Sequence, residues 1–220
     1  MTHADLTAYY ARRVAEYEAI YHKPERQADL ARLRTWVREQ LAGHRVLEIA
    51  CGTGYWTAWI APVVEHLVAT DASIELLEVA RRKSYPPDRV WFAEADAFAL
   101  DAVPGDFTAA LAAFWFSHVP IRRRHAFLES LYRRLGRGAR IVMLDNRWVE
   151  GSSTAISRSD EDGNTYQQRT LADGSRWEIL KNFPSRQEIE SLLAPFARDP
   201  RLLELEYYWA VCCELERGFA

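Results

Sequence analysis

The chain has 220 residues, of which 49% are apolar, which is enough for one hydrophobic core and short for two. Its formal net charge of −3 gives no overall attraction to nucleic acid or anionic lipid. It contains no apolar run of about eighteen residues, and residues 1–10 have neither the basic nor the apolar region of an export signal. We therefore expect one cytoplasmic domain over residues 1–220 that binds neither nucleic acid nor a membrane.

Three cysteines bear on the compartment and on metal binding. Cys51 stands alone and Cys212 and Cys213 are adjacent, so the chain cannot build a disulfide framework. No second ligand pair at zinc-site spacing lies near the adjacent cysteines. The sequence predicts a reducing compartment and no bound metal.

Residues 1–42 are predicted to be helical. Apolar residues recur at spacings of three and four from Asp5 to Leu41 with a break at Pro24, which predicts two helices or one interrupted helix. Tyr10, Tyr17 and Tyr21 are seven and four residues apart, so they share one helical face. Core packing is the simpler interpretation of that face.

Strand-like and helical segments alternate over residues 43–149. Predicted helices run from Tyr55 to Val64, from Ile74 to Arg82 and from Pro120 to Gly136. Five strands are predicted at RVLEIA, HLVATD, RVWFAEAD, FTAALAAFWF and ARIVMLDN. This alternation is typical of an α/β domain with a parallel sheet.

The region of residues 150–184 is polar and carries two turn signals, DGN at 162–164 and DGS at 173–175. Residues of strand character flank these turns, so we predict antiparallel hairpins inserted after the fifth strand and too polar to join the core.

The last region, residues 185–220, is predicted to contain one helix and one strand. Ser185 and Glu188 form a capping-box pattern, which opens a helix to about Leu193. A strand from about Arg201 to Glu214 is expected to pair antiparallel at the far edge of the sheet.

The segment VLEIACGTGYW joins the first strand to a helix through Gly52 and Gly54. Such a junction presents unpaired backbone N–H groups to an anionic or polar ligand, although many glycine pairs after strands are plain turns. A dinucleotide fingerprint starting at Gly52 would need its third glycine at position 57, where the chain has Thr57. The dinucleotide interpretation is therefore weakened.

Two acids extend this edge of the predicted sheet. Asp71 ends the second strand, where a carboxylate can accept hydrogen bonds from both ribose hydroxyls, and Asp96 ends the third. Each acid alone is also compatible with a helix cap. The order of glycine loop, first acid and second acid favours an adenosine-containing ligand without a pyrophosphate.

These segments resemble the class I S-adenosylmethionine-dependent methyltransferases over about residues 45–146. The resemblance rests on VLEIACGTG, VATDAS, EADAF and FTAALAAFWFSHVP. It implies a Rossmann-like, mostly parallel seven-stranded sheet with helices on both faces and an antiparallel last strand. It also implies an N-terminal helical lid, with the predicted hairpin inserted after the fifth strand. The implied activity is transfer of a methyl group from S-adenosylmethionine to an oxygen or nitrogen of a small molecule.

The resemblance also assigns cofactor contacts. It implies that Glu48 anchors the glycine loop and helps to hold the cofactor's amino group, that Asp71 takes the ribose hydroxyls, and that Asp96 with Phe98 frames the adenine. The family's usual first glycine is replaced by Ala50, so that turn has to tolerate a methyl group. The other expected cofactor contacts are Tyr17, Ala50, Gly52, Gly54, Trp56, Ala72, Ala97, Ala113 and Phe114.

On the acceptor side, His118 follows the fourth strand and is the candidate general base or acceptor-positioning residue, with a structural role as the alternative. Expected substrate contacts are Tyr10, Trp115, Asn146 and Arg147. Polar residues of the inserted region can bind a substrate carboxylate or phosphate, or form ordinary solvated surface; they are Arg158, Asn164, Tyr166, Gln167 and Arg169.

Two other functions stay open at this point. They are a nicotinamide-dependent oxidoreductase and a protein that binds S-adenosylmethionine without turnover. The expected partner is a small molecule, and a homodimer is left open.

Overall fold

The computed structural model describes residues 3–216 and gives the backbone alone for residues 3–7, 14 and 15. Ten strands occur in this range: β1 Arg45–Ile49, β2 His66–Asp71, β3 Val90–Glu94, β4 Ala109–Ala113, β5 Arg140–Asn146, β6 Arg158–Ser159, β7 Thr165–Thr170, β8 Arg176–Leu180, β9 Ala197–Glu204 and β10 Tyr208–Leu215. The α-helices are α1 His3–Arg12, α2 Gln27–Leu41, α3 Tyr55–Ile60, α4 Ile74–Arg81, α5 Arg124–Leu135 and α6 Arg186–Leu193.

Seven strands form the central sheet in the order β3-β2-β1-β4-β5-β10-β9. The first five are parallel to one another, whereas β10 is antiparallel to both β5 and β9. The carboxyl ends of β1, β2 and β4 therefore lie at one edge, on either side of the point where the chain order reverses. In open α/β sheets this is where ligands bind.

The central strands are buried on both faces because their side chains alternate between two cores. In β5, Ile141 and Met143 belong to one core and Val142 and Leu144 to the other. Helices α5 and α6 cover the first core, and α2 and α3 cover the second. The predicted Rossmann-like architecture, with helices on both faces, is confirmed.

The prediction of a single last strand from Arg201 to Glu214 is wrong. The segment forms two antiparallel strands, β9 and β10, that turn at residues 205–207. β10 lies inside the sheet between β5 and β9, where both of its faces are buried. A continuous apolar run is typical of such a strand, whereas the residues of the edge strand β9 are all exposed or half-buried.

Other boundaries also differ. Residues 14–21 and 24–26 are 3₁₀-helices, and the helical path is interrupted at residues 22 and 23, next to the predicted break at Pro24. The predicted helix at 55–64 ends at Ile60, and α5 begins at Arg124 after a short 3₁₀ turn. Pro24 takes the first position of its 3₁₀-helix, which its fixed φ suits, whereas Pro120 precedes the other 3₁₀ turn as its N-cap.

The inserted region forms a three-stranded antiparallel sheet, β6-β7-β8. The expectation that it is too polar to join the core is wrong, because Leu171 and Ile179 are buried in the core beside the main sheet. All three cysteines are buried free thiols. Within residues 3–216, none of the helices has the length and apolar character needed to cross a bilayer.

Candidate active site

The loop from β1 to α3 is built by left-handed backbone conformations. Gly52 has φ +58° and Gly54, which precedes α3, has φ +76°. Ala50 also lies in the left-handed region, with φ +52°. A non-glycine residue in this region costs roughly 1–2 kcal/mol, so the loop holds Ala50 in place at the expense of backbone strain.

Asp71 ties the end of β2 to this loop. Its Oδ2 accepts a hydrogen bond from the backbone N–H of Gly52 at 2.8 Å, and its Oδ1 accepts one from that of Ser73 at 2.9 Å. Ser73, whose Oγ accepts from the Leu76 N–H at 3.3 Å, is the N-cap of α4. Asp71 therefore fixes the loop and also lines the cavity described below.

Glu48 lies beneath the loop. Its side chain is buried, and its Oε2 accepts a 2.6 Å hydrogen bond from the Thr57 hydroxyl on α3. Burial raises the pKa of Glu48 to about 8. The carboxyl group is therefore largely protonated at neutral pH and joins β1 to α3.

A cavity of about 570 Å³, part of it open to solvent, lies at the carboxyl ends of β1, β2 and β4. We call it the cofactor cavity. Small side chains line much of it, those of Ala50, Ala72, Ala95, Ala97 and Ala113, with Asp71, Ser73 and Leu76 beside them. Its other wall is aromatic and consists of Tyr10, Tyr17, Phe114, Trp115 and His118.

This cavity fits an adenosyl group. Strand-end alanines leave room for a flat ring, and a buried carboxylate at Asp71 suits hydroxyl donors. The backbone of the loop is also approached too closely for a side chain, since a Cβ at Gly52 would lie 2.2 Å from the Tyr17 hydroxyl oxygen. A glycine is needed at that point for Tyr17 to close over the loop.

The segment of residues 14–21, which we call the lid, is fastened to the glycine loop by polar contacts as well. Glu18 Oε1 accepts a 2.7 Å hydrogen bond from the Thr53 hydroxyl. The same carboxylate pairs with Lys83, which follows α4. The lid thus bridges the loop after β1 and the end of α4.

A second cavity, of about 820 Å³, lies on the other side of the same aromatic wall. We call it the acceptor cavity. It shares Tyr10, Tyr17, Phe114 and His118 with the cofactor cavity. The N-terminal segment, the end of β5 and the inserted region supply its remaining walls, including the cationic side chains of Arg13, Lys23, Arg26, Arg169 and Lys181.

Known proteins match parts of this chain in sequence. Residues 46–138 match the family described as methyltransferase domain. The chain is 39% identical over 105 residues to a demethylmenaquinone methyltransferase of Clavibacter sepedonicus, which covers 48% of this chain and 42% of that protein. It spans about half the length of the curated relatives that it matches.

Solved structures match over nearly the whole chain. The DhpI–SAH complex has a TM-score of 0.76 and 28% identity, covering 98% of this chain and 99% of that one. The DhpI–SAM–HEP complex has a TM-score of 0.78 and 27% identity, covering 97% and 99%. The matched methyltransferase domain and the SAM and SAH complexes among the similar structures confirm the resemblance to the class I S-adenosylmethionine-dependent methyltransferases that four sequence segments indicated.

The fold brings only some of the expected cofactor residues to the cavity wall. Those that line it are Tyr17, Ala50, Asp71, Ala72, Ala97, Ala113 and Phe114. Gly52 and Gly54 form the loop itself, and Glu48 joins β1 to α3 through Thr57. Trp56 is buried in the core, and Asp96 accepts a hydrogen bond from the Phe98 N–H at 2.8 Å. Sequence reasoning missed Ser73, Leu76 and Ala95, although they flank the predicted acids and could have been found by that position.

On the acceptor side, Tyr10 and Asn146 line the acceptor cavity and Trp115 lines the cofactor cavity. Arg147 lies elsewhere and donates a 2.6 Å hydrogen bond to the Leu205 carbonyl. Gln167 and Arg169 of the inserted sheet reach the acceptor cavity. The other three polar residues have partners in or next to the inserted sheet. Arg158 donates to Glu178, Asn164 Oδ1 accepts from Asn182 Nδ2, and the Tyr166 hydroxyl donates to Asp160.

His118 lies at the junction of the two cavities with both ring nitrogens engaged. Nδ1 is 2.7 Å from the Leu180 carbonyl, which can only accept, so Nδ1 carries the proton. Nε2 is 2.8 Å from the Tyr10 hydroxyl and accepts from it. Burial, helped by the nearby charge of Lys181, lowers the pKa of His118 to about 3, so the ring is neutral at physiological pH.

Proposed function

We propose that the protein transfers the methyl group of S-adenosylmethionine to an oxygen or nitrogen of a small molecule held in the acceptor cavity. The observation that carries this proposal is the meeting of two cavities at one shared wall of Tyr10, Tyr17, Phe114 and His118. S-adenosylmethionine supplies a methyl group that its sulfonium already activates. The protein therefore has mainly to hold the acceptor in line and to keep water out, and orientation of this kind can supply roughly 7–11 kcal/mol.

The roles of the residues follow from their contacts. Asp71 presents a buried carboxylate for the ribose hydroxyls, and Tyr17 covers the loop beside it. His118 holds the Tyr10 hydroxyl at the junction, so we assign it to acceptor positioning. Glu48 supports the loop from below through Thr57.

The names of similar proteins support the cofactor half of the proposal more strongly than the acceptor half. The family match spans residues 46–138 and so excludes both the lid and the inserted sheet, which line the acceptor cavity. The two DhpI structures match over the whole length and are described as complexes with SAH and with SAM and HEP. We infer from this likeness that a cofactor and an acceptor bind together here too.

Calorimetry with S-adenosylhomocysteine, with NADH as the comparison, tests the cofactor. We expect the first to bind and NADH not to bind. Asp71→Ala should weaken binding roughly tenfold or more, because a hydroxyl loses a charged acceptor and Gly52 loses its anchor. Asp71→Asn keeps one acceptor oxygen and should weaken it less. Asp101→Asn, an exposed acid outside the cavity, is the matched control.

Labelled methyl transfer over a metabolite library, read by mass, tests turnover. Binding of NADH in place of S-adenosylhomocysteine would reassign the protein to the oxidoreductases. Cofactor binding with no methylated product from any acceptor class would leave the non-catalytic binder as its function.

A further inference from the structure

The acceptor cavity carries a surplus of positive charge although the chain as a whole has a formal charge of −3. Its walls contain five cationic side chains, Arg13, Lys23, Arg26, Arg169 and Lys181, and no Asp or Glu. They come from three parts of the chain: the N-terminal segment, the inserted sheet and the residue after β8. The surplus is therefore a property of the folded cavity.

Most of these cations have neutral partners. Within the described part of the chain, Lys181 alone of the five forms an ion pair, at 3.0 Å from Asp145 Oδ1. Lys23 donates to the Ser152 carbonyl at 2.5 Å. Arg26 donates to the Ser152 hydroxyl at 3.0 Å and to Asn146 Oδ1 at 3.1 Å. Hydrogen bonds of this kind orient a cation without neutralising it.

Arg169 is the cation for which the missing counter-charge costs most, because its guanidinium is buried. Its guanidinium donates a hydrogen bond to Gln167 Oε1 at 2.5 Å, and its buried Nε has no hydrogen-bond partner among the described residues. Burial lowers the pKa of Arg169, and the charges of Arg13 and Arg26 lower it further. Buried cations without counter-ions are costly, and an anionic ligand removes that cost.

The cations surround the junction with the cofactor cavity. The charges of Arg13 and Arg169 act on the Tyr10 hydroxyl, and those of Lys181 and Arg169 act on His118. Both of these side chains line the two cavities at once. An anionic group held by these residues therefore lies next to the cofactor cavity, and not at a remote end of the acceptor.

On the basis of the proposed function, we propose that the acceptor is a small acid with two negative charges and that an oxygen of its anionic group receives the methyl. A lone pair of that oxygen forms the new C–O bond as the carbon–sulfur bond breaks. The electron pair of the broken bond stays on sulfur, giving the neutral thioether S-adenosylhomocysteine. The acceptor loses one negative charge, and no proton is transferred.

This chemistry agrees with the state of His118. An oxyanion is already deprotonated, so the junction needs no general base, and the imidazole has both nitrogens engaged in hydrogen bonds. The methyl ester carries one charge fewer than the acceptor and is held less tightly by the same cations. Release of a monomethyl product follows, and a second methylation is disfavoured.

Calorimetry in the presence of S-adenosylhomocysteine tests the charge requirement. The probes are ethylphosphonate and malonate as two kinds of dianion, propionate as a monoanion and propionamide as a neutral isostere. We expect at least one dianion to bind ten times or more tightly than propionate, and propionamide not to bind. The two dianions distinguish a tetrahedral oxyanion from a pair of carboxylates.

Arg169→Gln and Arg13→Gln should each weaken dianion binding roughly tenfold or more while leaving S-adenosylhomocysteine affinity within twofold. Arg158→Gln is the matched control, because Arg158 lies in the same inserted sheet, is exposed and pairs with Glu178. Intact cofactor binding in the variants shows that they fold.

The dianion that binds should also become a methyl ester when S-adenosylmethionine replaces the product, with the label on oxygen by mass and NMR. Dianions that bind no better than propionamide while S-adenosylhomocysteine still binds would overturn the anionic acceptor and leave the proposed function standing. A methyl found on carbon or nitrogen of the true acceptor would overturn it too. Failure of S-adenosylhomocysteine itself to bind would instead overturn the proposed function.

Discussion

The Tyr10 hydroxyl and His118 Nε2 share one hydrogen bond, and that bond decides what His118 can do. A general base needs a free lone pair near the acceptor, whereas here the lone pair of the neutral ring accepts from Tyr10. The positioning role predicts that the two residues act as one unit.

We expect His118→Ala and Tyr10→Phe each to lower kcat/KM by roughly 2- to 10-fold, the effect of one hydrogen bond, and the double variant to be no worse than either alone. Steady-state kinetics from pH 6 to 8, with an acceptor found in the labelled-methyl screen, measures both effects. A base would behave differently: His118→Ala would lower kcat by roughly 100-fold or more, and Tyr10→Phe would be nearly silent.

At the scale of elements, the lid connects the two halves of the site. Tyr17 and Glu18 are adjacent, and they contact Gly52 and Thr53, which are adjacent in the loop. Because Tyr17 also lines both cavities, we propose that movement of the lid opens both of them together. The fastening of the lid should therefore set how long the cofactor stays bound.

Thr53→Val removes the hydroxyl that donates to Glu18 and nearly preserves side-chain volume. We expect dissociation of S-adenosylhomocysteine, followed by stopped flow, to become roughly 2- to 10-fold faster. Glu18→Gln keeps an acceptor for Thr53 but loses the ion pair with Lys83, so its effect should be smaller and should shrink with added salt. Glu39→Gln, which changes an exposed acid on α2, is the control. Equal dissociation rates in the native protein and the three variants would show that these contacts of Glu18 do not hold the cofactor in place.

The inserted sheet is attached to the central sheet at one buried polar cluster. Lys181, just after β8, pairs with Asp145 on β5 and donates to the Ser117 hydroxyl at 2.6 Å, and Ser117 donates its N–H to the same carboxylate at 2.8 Å. The cluster joins the acceptor side to the loop that carries His118.

For the whole molecule, the buried Glu48 links stability to pH. In the unfolded chain its carboxyl has a pKa of 4.5, and in the folded protein a pKa of about 8, because burial disfavours the charged form. The folded state therefore holds one more proton between these values. The contribution of the Glu48 carboxyl to the free energy of unfolding is fully present below the unfolded pKa and is lost as the pH rises through about 8.

Glu48→Gln keeps an oxygen for the Thr57 hydroxyl and cannot ionise. We expect the Tm of this variant to rise relative to that of the native protein as the pH is raised from about 5 to about 8. Thermal unfolding followed by circular dichroism measures it. The same series on Glu39→Gln should show no such trend, and a constant difference for Glu48→Gln would mean that Glu48 is ionised in the fold.

The cofactor half of the site could be predicted because its determinants are local in sequence. Asp71 ends a strand, and parallel strands bring their carboxyl ends to one edge, so periodicity alone placed it near Gly52. The division of the last segment into β9 and β10 was missed because a short turn within an apolar stretch gives no glycine or proline signal.

The acceptor half could be predicted only in part. Arg169 is one of the polar residues of the inserted region that the sequence analysis names, whereas no local pattern singles out Arg13, Lys23, Arg26 or Lys181. The fold brings them together by placing the N-terminal segment beside the inserted sheet. No spacing within one segment records that placement.

Ala50 shows that the turn after β1 depends on backbone geometry more than on residue type. Its φ of +52° belongs to the region that glycine occupies freely, and the chain adopts it with a methyl group in place. A motif written with glycine at this position would reject the chain, whereas one written in dihedral angles would accept it. Signature searches for this fold therefore gain from allowing alanine at the first loop position when the acids at the strand ends are present.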